Sequence, residues 1–161
     1  MLRKEILRTQ QPVSIRGASE IDIASVATVL VTSEDPRHPI DHAFDGQRGP
    51  AASRWIAGQP GTQTVIVAFD APQPIIRVLV DIYEPDVERT QEMDVSISTD
   101  GGSTYRHVVR QEYNFSPPGT SYEHEQWSVA TDGVTHLKVT VKPDKGGKAC
   151  RATLTALAIE S

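Results

Sequence analysis

Met93-Asp94-Val95-Ser96-Ile97-Ser98 alternates apolar and polar residues without a break. The next stretch, Thr99-Asp100-Gly101-Gly102-Ser103-Thr104-Tyr105, is turn chemistry closed by an aromatic. In an extended chain successive side chains point to opposite faces. Met93, Val95 and Ile97 therefore share one face, and Asp94, Ser96 and Ser98 the other. The pattern predicts a strand with one buried and one wet face, followed by a tight hairpin built on Asp and Gly.

The same period recurs on both sides of this segment. Leu137-Lys138-Val139-Thr140-Val141-Lys142 repeats it with Leu137, Val139 and Val141 inward, and Gln63 to Asp70 with Val65, Val67 and Phe69 inward. Ile76, Val78, Val80 and Ile82 form another inward row, with Ile75 and Leu79 making that strand apolar on both faces. Shorter candidates are Ser25–Thr32, Ser53–Ala57, Tyr105–Arg110, Gln126–Val129 and Thr153–Glu160. The last is ambiguous in register, because Leu154, Leu157 and Ile159 do not share a parity. Turn signals lie at Ala71-Pro72-Gln73-Pro74, Asp100-Gly101-Gly102, Ser116-Pro117-Pro118-Gly119, Thr131-Asp132-Gly133 and Pro143-Asp144-Lys145-Gly146-Gly147. About eight or nine short strands spaced by such turns predict an all-β fold, an antiparallel sandwich or barrel. The only helical hint is Leu2, Ile6 and Leu7. Residues 1–16 are expected to form an arm or terminal strand, and residues 17–161 one domain.

Composition agrees with a single folded unit. The chain has 161 residues, 38% hydrophobic and 23% charged, ordinary values for a globular domain. Sixteen Lys and Arg against 21 Asp and Glu give a net charge of −5, the wrong sign for a protein that binds nucleic acid by neutralising phosphates. One cysteine, Cys150, makes no internal disulfide. Met1 to Arg8 lacks the apolar run of a secretory leader, and no apolar stretch approaches the roughly 20 residues that span a bilayer. The expectation is a cytoplasmic protein without membrane contact.

Motifs for common catalytic machinery are missing: no G-x-S-x-G, no H-E-x-x-H and no G-x-x-x-x-G-K-[ST]. His38, His42, His107, His124 and His136 never pair at metal-ligand spacing, and His42 beside Asp45 reads as a solvated loop pair. Ser98 to Tyr105 fits S-x-D-x-G-x-T-aromatic and resembles the Asp-box hairpin, in which the Asp side chain bonds turn amides and the aromatic anchors the returning strand.

A broader resemblance lies in the order of motifs. Ala43-Phe44-Asp45-Gly46, a short loop and Ser53-Arg54-Trp55 resemble the A-x-D-G…T-x-W opening of discoidin-like domains. These are also known as factor V/VIII C-type or galactose-binding-like domains, and they include the family 32 carbohydrate-binding modules. Gln63–Asp70, Pro74–Val80, Val95–Tyr105, Val134–Val141 and Ala152–Glu160 follow in the family's order, so the resemblance covers roughly residues 24–160. It implies an antiparallel β-sandwich of jelly-roll type and a non-catalytic binding module for a saccharide.

The family often holds a structural calcium beside the A-x-D-G loop, and such an ion wants six to eight oxygens. By position, Asp45 would give a side-chain oxygen, Arg48 a backbone carbonyl and Ser53 a hydroxyl or carbonyl, with Glu160 completing the set. Gln47-Arg48-Gly49-Pro50 stands where the family often has acids, which predicts weaker binding. The resemblance also places ligands on loops at one end of the sandwich. A sugar wants an aromatic plate for its C–H face and polar side chains for its hydroxyls. Tyr83, Glu84, Arg89, Asn114, Phe115 and Lys145 are the candidate ligand-binding residues, Arg89 having the alternative of pairing with Glu84 or Glu88. Phe115, next to the double proline, is the aromatic expected at the surface; Trp55 and Trp127 are expected in the core.

Two other readings stand beside the saccharide module. One is an intracellular protein-interaction domain of the same fold. The other is a small enzyme using loop carboxylates. A contiguous apolar surface patch would favour the first, and two opposed carboxylates in a deep cleft the second. Residues 1–16 could add an edge strand to a second copy and so make a dimer.

Overall fold

The computed structural model of the chain describes residues 19–161. The helical hint at Leu2, Ile6 and Leu7, and the arm and dimer contact expected of residues 1–16, lie outside the described residues. The described residues form eight strands: β1 (Ala27–Val31), β2 (Trp55–Ile56), β3 (Gln63–Tyr83), β4 (Arg89–Ser98), β5 (Arg106–Phe115), β6 (Tyr122–Lys142), β7 (Thr153–Leu154) and β8 (Ala156–Glu160). All their pairings are antiparallel. A short helix, α1 (Ile23–Val26), precedes β1, and a 3-10 turn covers Ile40–Phe44. No helix among the described residues is long and apolar enough to cross a membrane.

Two long strands organise the sandwich. β3 and β6 each run for 21 residues and pair along nearly their whole length. Their first ladder joins Gln63–Ala68 to His136–Val141, and their second joins Arg77–Tyr83 to Tyr122–Ser128; between the two the register shifts three times. The first ladder belongs to a layer ordered β1-β3-β6-β4-β5, whereas β8 flanks the second half of β3. Val65, Val67, Met93, Val95, Ile97, Leu137 and Val139 of the first layer are buried in one core with Val78, Val80, Ile82, Leu157 and Ile159 of the second. Trp55 is fully buried between them.

The corner explains where the pattern misled. Ala71-Pro72-Gln73-Pro74 and Thr131-Asp132-Gly133 are not chain reversals: they face each other inside β3 and β6 and let the paired strands bend together. Bulges tolerate prolines that a regular central ladder would not. Gly133 takes φ 70°, and Ala130, a residue with a Cβ, takes φ 46°. The shift also swaps faces. Ile75 is buried and Ile76 is 48% exposed, the reverse of the row drawn from parity. Thr153–Glu160 resolves similarly, because Thr155 separates β7 from β8. Its N–H donates to Asp81 O at 2.9 Å and its hydroxyl accepts from Tyr83 N at 3.0 Å.

Other departures are local. Ser25 and Val26 belong to α1, so the first strand starts at Ala27. Trp127 is half-buried, packed against the core from β6, rather than inside it. Phe115, expected at the surface, is 1% exposed. It ends β5 opposite Arg89, on the face that also carries buried Tyr113, so it closes the core instead of offering a plate.

The Asp-box hairpin forms as the motif requires. Ser98 Oγ donates to Asp100 Oδ1 at 2.6 Å, Thr104 N to the same oxygen at 2.9 Å, and Thr104 Oγ1 to Oδ2 at 2.6 Å. Gly101 and Gly102 take φ 76° and 86°, values that cost other residues strain. Lys138 Nζ lies 4.0 Å from the centre of the Tyr105 ring. The two hydroxyls, Ser98 first, and the Thr104 amide hold the Asp100 carboxyl down at about 2.

Two outcomes follow for stability. A folded-state value below the unfolded one means that Asp100 stabilises the fold fully above the ordinary carboxylate range, and that this is lost as pH falls through about 2. Asp100→Asn should therefore lower the melting temperature at neutral pH and flatten its acid dependence between about pH 4 and 2, read by calorimetry. Phe115→Ala should cost about 3–5 kcal/mol in chemical denaturation, as for a large core side chain.

Candidate functional site

At the end of the sandwich where β3 both begins and ends, the inward rows change from apolar to polar. Gln63, Arg89, Gln91 and Thr153 are all buried there. Loops and two-residue strands leave backbone groups to be satisfied by side chains, and Arg89, Gln91 and Thr153 do so. Gln91 Nε2 donates to Thr153 O at 3.1 Å, and its Oε1 accepts from Thr153 N at 3.4 Å. Thr153 Oγ1 donates to Trp55 O at 2.8 Å, and Trp55 Nε1 to Ser33 O at 3.1 Å. Gln63 Oε1 accepts from the hydroxyls of Thr32 and Ser33 at 2.7 and 2.6 Å. Gly58 passes so close to this frame that a Cβ there would meet Glu34 O at 2.8 Å.

Above this polar floor lies an open cleft of about 370 Å³, lined by Arg54, Glu84, Asp86, Val87, Arg151 and their neighbours. Its charges are arranged in pairs. Arg89, whose side chain is wholly buried, places Nη2 2.9 Å from Glu84 Oε1 and bonds Arg151 O through Nη1. Glu84 Oε2 accepts from Asp86 N at 3.0 Å and lies 3.9 Å from Arg54 Nη1. Arg54 donates to Tyr83 O at 2.6 Å, sits 5.8 Å from the centre of the Tyr83 ring and approaches Asp86 at 3.7 Å. On the far wall Arg151 Nη1 reaches Asp35 at 2.9 Å. The Arg37 amide first, then Arg151, hold the Asp35 carboxyl below the usual carboxylate range.

The predicted ligand residues divide three ways. Tyr83, Glu84 and Arg89 come together at the cleft. Only Glu84 lines it, because Arg89 is buried behind it as the pair partner. Asn114 and Lys145 lie beyond, joined through Thr90: Thr90 Oγ1 donates to Asn114 Oδ1 at 2.7 Å and Lys145 N to Thr90 O at 2.7 Å. Lys145 Nζ pairs with Glu112 at 2.5 Å, which raises its ammonium above the ordinary range. Phe115 is core. Missing from the prediction were Arg54, Asp86 and Arg151. One signal was available for Arg54: with Trp55 inward, period-2 alternation turns its neighbours Arg54 and Ile56 outward.

Of the four residues expected around calcium, Asp45 and Ser53 meet, while the side chains of Arg48 and Glu160 are engaged elsewhere. Asp45 Oδ1 accepts from Gln47 N at 2.9 Å and Oδ2 from Ser53 Oγ at 2.5 Å. Glu160 pairs with Arg77 at 2.9 Å, and the Arg48 guanidinium pairs with Glu20. Among the described residues no three His, Cys, Asp or Glu side chains gather where they could hold a metal. Two carboxylates, a hydroxyl and a carbonyl are a sparse donor set for an ion that takes six to eight oxygens.

No protein-family model matches the sequence, and no curated protein matches it. Solved structures do. The family 32 carbohydrate-binding module of NanJ from Clostridium perfringens, in complex with galactose, superposes with a TM-score of 0.63. It is 14% identical and covers 89% of this chain and 98% of its own. The paired CBM32-1 and CBM32-2 domains of ZmpB from the same organism, in complex with GalNAc, give 0.64 at 20% identity over 99% of this chain and 40% of theirs. A pectin-binding carbohydrate-binding module gives 0.61 at 19% identity over 84% of this chain and 91% of its own. At these identities the likeness is one of architecture, and the chain has the galactose-binding-like β-sandwich fold of the family 32 carbohydrate-binding modules.

Proposed function

We propose that this domain is a non-catalytic binding module that holds a saccharide in the cleft between Arg54, Asp86 and Arg151. The observation that carries the reading is the mixed lining of that cleft. Ile56, Pro60 and Val87 offer apolar surface for a sugar ring's C–H face, and two guanidiniums and a carboxylate offer donors and acceptors for its hydroxyls. Asp86, beside Arg54, and Arg151, paired with Asp35, are the solvent-facing ends of the charge network, with side chains 74% and 44% exposed. Glu84 has no such freedom, since it is spent on Arg89, Arg54 and the Asp86 amide. An acid so engaged is a positioning residue, which argues against the loop-carboxylate enzyme.

Structural neighbours with this fold were solved with galactose, with GalNAc-β-1,3-galactose and with 4,5-unsaturated mannuronic acid. Neutral and acidic sugars are both represented, so the ligand class is a property of each module's loops. The protein-interaction reading would want a contiguous apolar patch. The large apolar side chains exposed among the described residues are Leu30 and Ile76, on separate strands.

The test is thermal shift and calorimetric titration against neutral, acidic and amino sugars, as monomers and oligomers. One sugar class should raise the melting temperature of the wild-type protein. Asp86→Ala and Arg151→Ala should each weaken that binding by about 10- to 100-fold, the worth of one hydrogen bond to a charged group, while keeping the fold by circular dichroism. No shift with any sugar at tens of millimolar, or full binding by both variants, would reject the cleft as a saccharide site.

A further inference from the structure

We propose that the 45–53 loop is clamped by an internal guanidinium, Arg48, in place of a divalent ion, and that the module's stability and binding are independent of calcium. A structural cation cross-links segments that are distant in sequence by collecting their oxygens. Here Arg48 makes the cross-link. Its Nη2 bonds the carboxylate of Glu20, whose side chain is 5% exposed and whose backbone bridges to Glu160 of β8. The loop is thereby tied to the entry and the last strand of the domain.

Two further observations bear on the same loop. Beneath it is a small cavity of about 20 Å³, lined by Glu20, Arg48, Gly46, Phe44 and Ala158. That is room for about one water molecule, beside a guanidinium that already supplies the positive charge. A divalent ion placed there would meet that charge at short range. The second observation is an anchor that needs no metal. Gly49 N donates to Asp81 Oδ2 at 3.3 Å, and Asp81, 2% exposed, also accepts from Tyr122 Oη at 2.6 Å and bonds His124 Nδ1 at 2.5 Å. Of the oxygens that a cation would draw on, those of Asp45 accept from Gln47 N and Ser53 Oγ, and one of Glu160 pairs with Arg77. Arg suits the role because its planar fork stays charged and presents several donors in fixed directions.

The experiment compares melting temperatures of the wild-type protein in EDTA, in millimolar CaCl₂ and in metal-free buffer, with metal content by mass spectrometry. The three should agree within about a degree. Arg48→Met and Glu20→Gln should each lower the melting temperature by several degrees, and the double variant by clearly less than the sum, because both break one interaction. Arg48→Lys should recover part of the loss. A saturable rise with CaCl₂, a fall in EDTA, co-purified stoichiometric calcium, or additive single variants would overturn the clamp. The wild-type arms decide the matter even where a variant fails to fold, and they do so whether or not a sugar binds the cleft.

Discussion

The two-part ladder between β3 and β6 is the constraint on which the molecule depends. Two 21-residue strands, paired on both sides of a shared corner, build a part of each layer. The layers are therefore held by backbone hydrogen bonds as well as by packing between Val65 or Leu137 on one side and Val80 or Leu157 on the other. Everything at the loop end inherits its position from this pair, since β3 begins there at Gln63 and ends there at Tyr83. A strand that folds back over itself brings its two ends together, and the cleft is assembled around both.

This geometry explains why the interior turns polar toward one end. Rows that are apolar at mid-strand end in Gln63, Gln91 and Arg89, all buried. A ladder satisfies its own backbone, whereas the segments after β1, β3 and β6 do not, so the last inward side chains must hydrogen-bond the loops. Arg89 is the extreme case. Its charge is withdrawn from water, balanced by Glu84 and tied to the Arg151 carbonyl. Removing either partner of such a pair leaves an uncompensated buried charge, so its value lies in fixing the loops and less in net stability. Arg54 and Arg151, at the two walls, are aligned from this buried pair outward.

Much of the fold was legible because period-2 alternation is a direct consequence of strand geometry. Met93–Ile97 and Leu137–Lys142 were read correctly residue by residue, as were the Asp-box hairpin and the overall architecture, while Ser98, placed on the wet face, is buried where its hydroxyl enters the hairpin. The failures gather where geometry departs from ideal alternation. Parity put Ile76 inside because it assumes an unbroken register, and the β6 bulge at Val129 and Ala130, opposite Ile76, breaks it. Turn chemistry at residues 71–74 and 131–133 was real, but two facing turn signals make a bend in a paired ribbon, which a single strand's sequence does not reveal. Of the site, Glu84 and its neighbours could be placed on one loop, while Arg54 and Arg151 approach them only through the pairing of β2 with β7.

Phe115 shows why composition misleads most at loop ends. An aromatic between Asn114 and Ser116, beside two prolines, has the neighbours of a surface residue, and burial was decided elsewhere. It lies opposite Arg89 in the ladder, on the inward face that this buried charge also occupies. An arginine kept dry needs apolar cover as well as a counter-ion, because water at the site would compete with Glu84 for its donors. The ring expected as a ligand plate is at the same end of the sandwich as the cleft but on the inner side of it. Its role in the structure is packing: it covers the buried end of the sandwich behind the Arg54, Asp86 and Arg151 side chains. Sequence reading put this ring on the outer face and the structure puts it on the inner one, because the face is set by cross-strand register and not by the nearest neighbours in the chain.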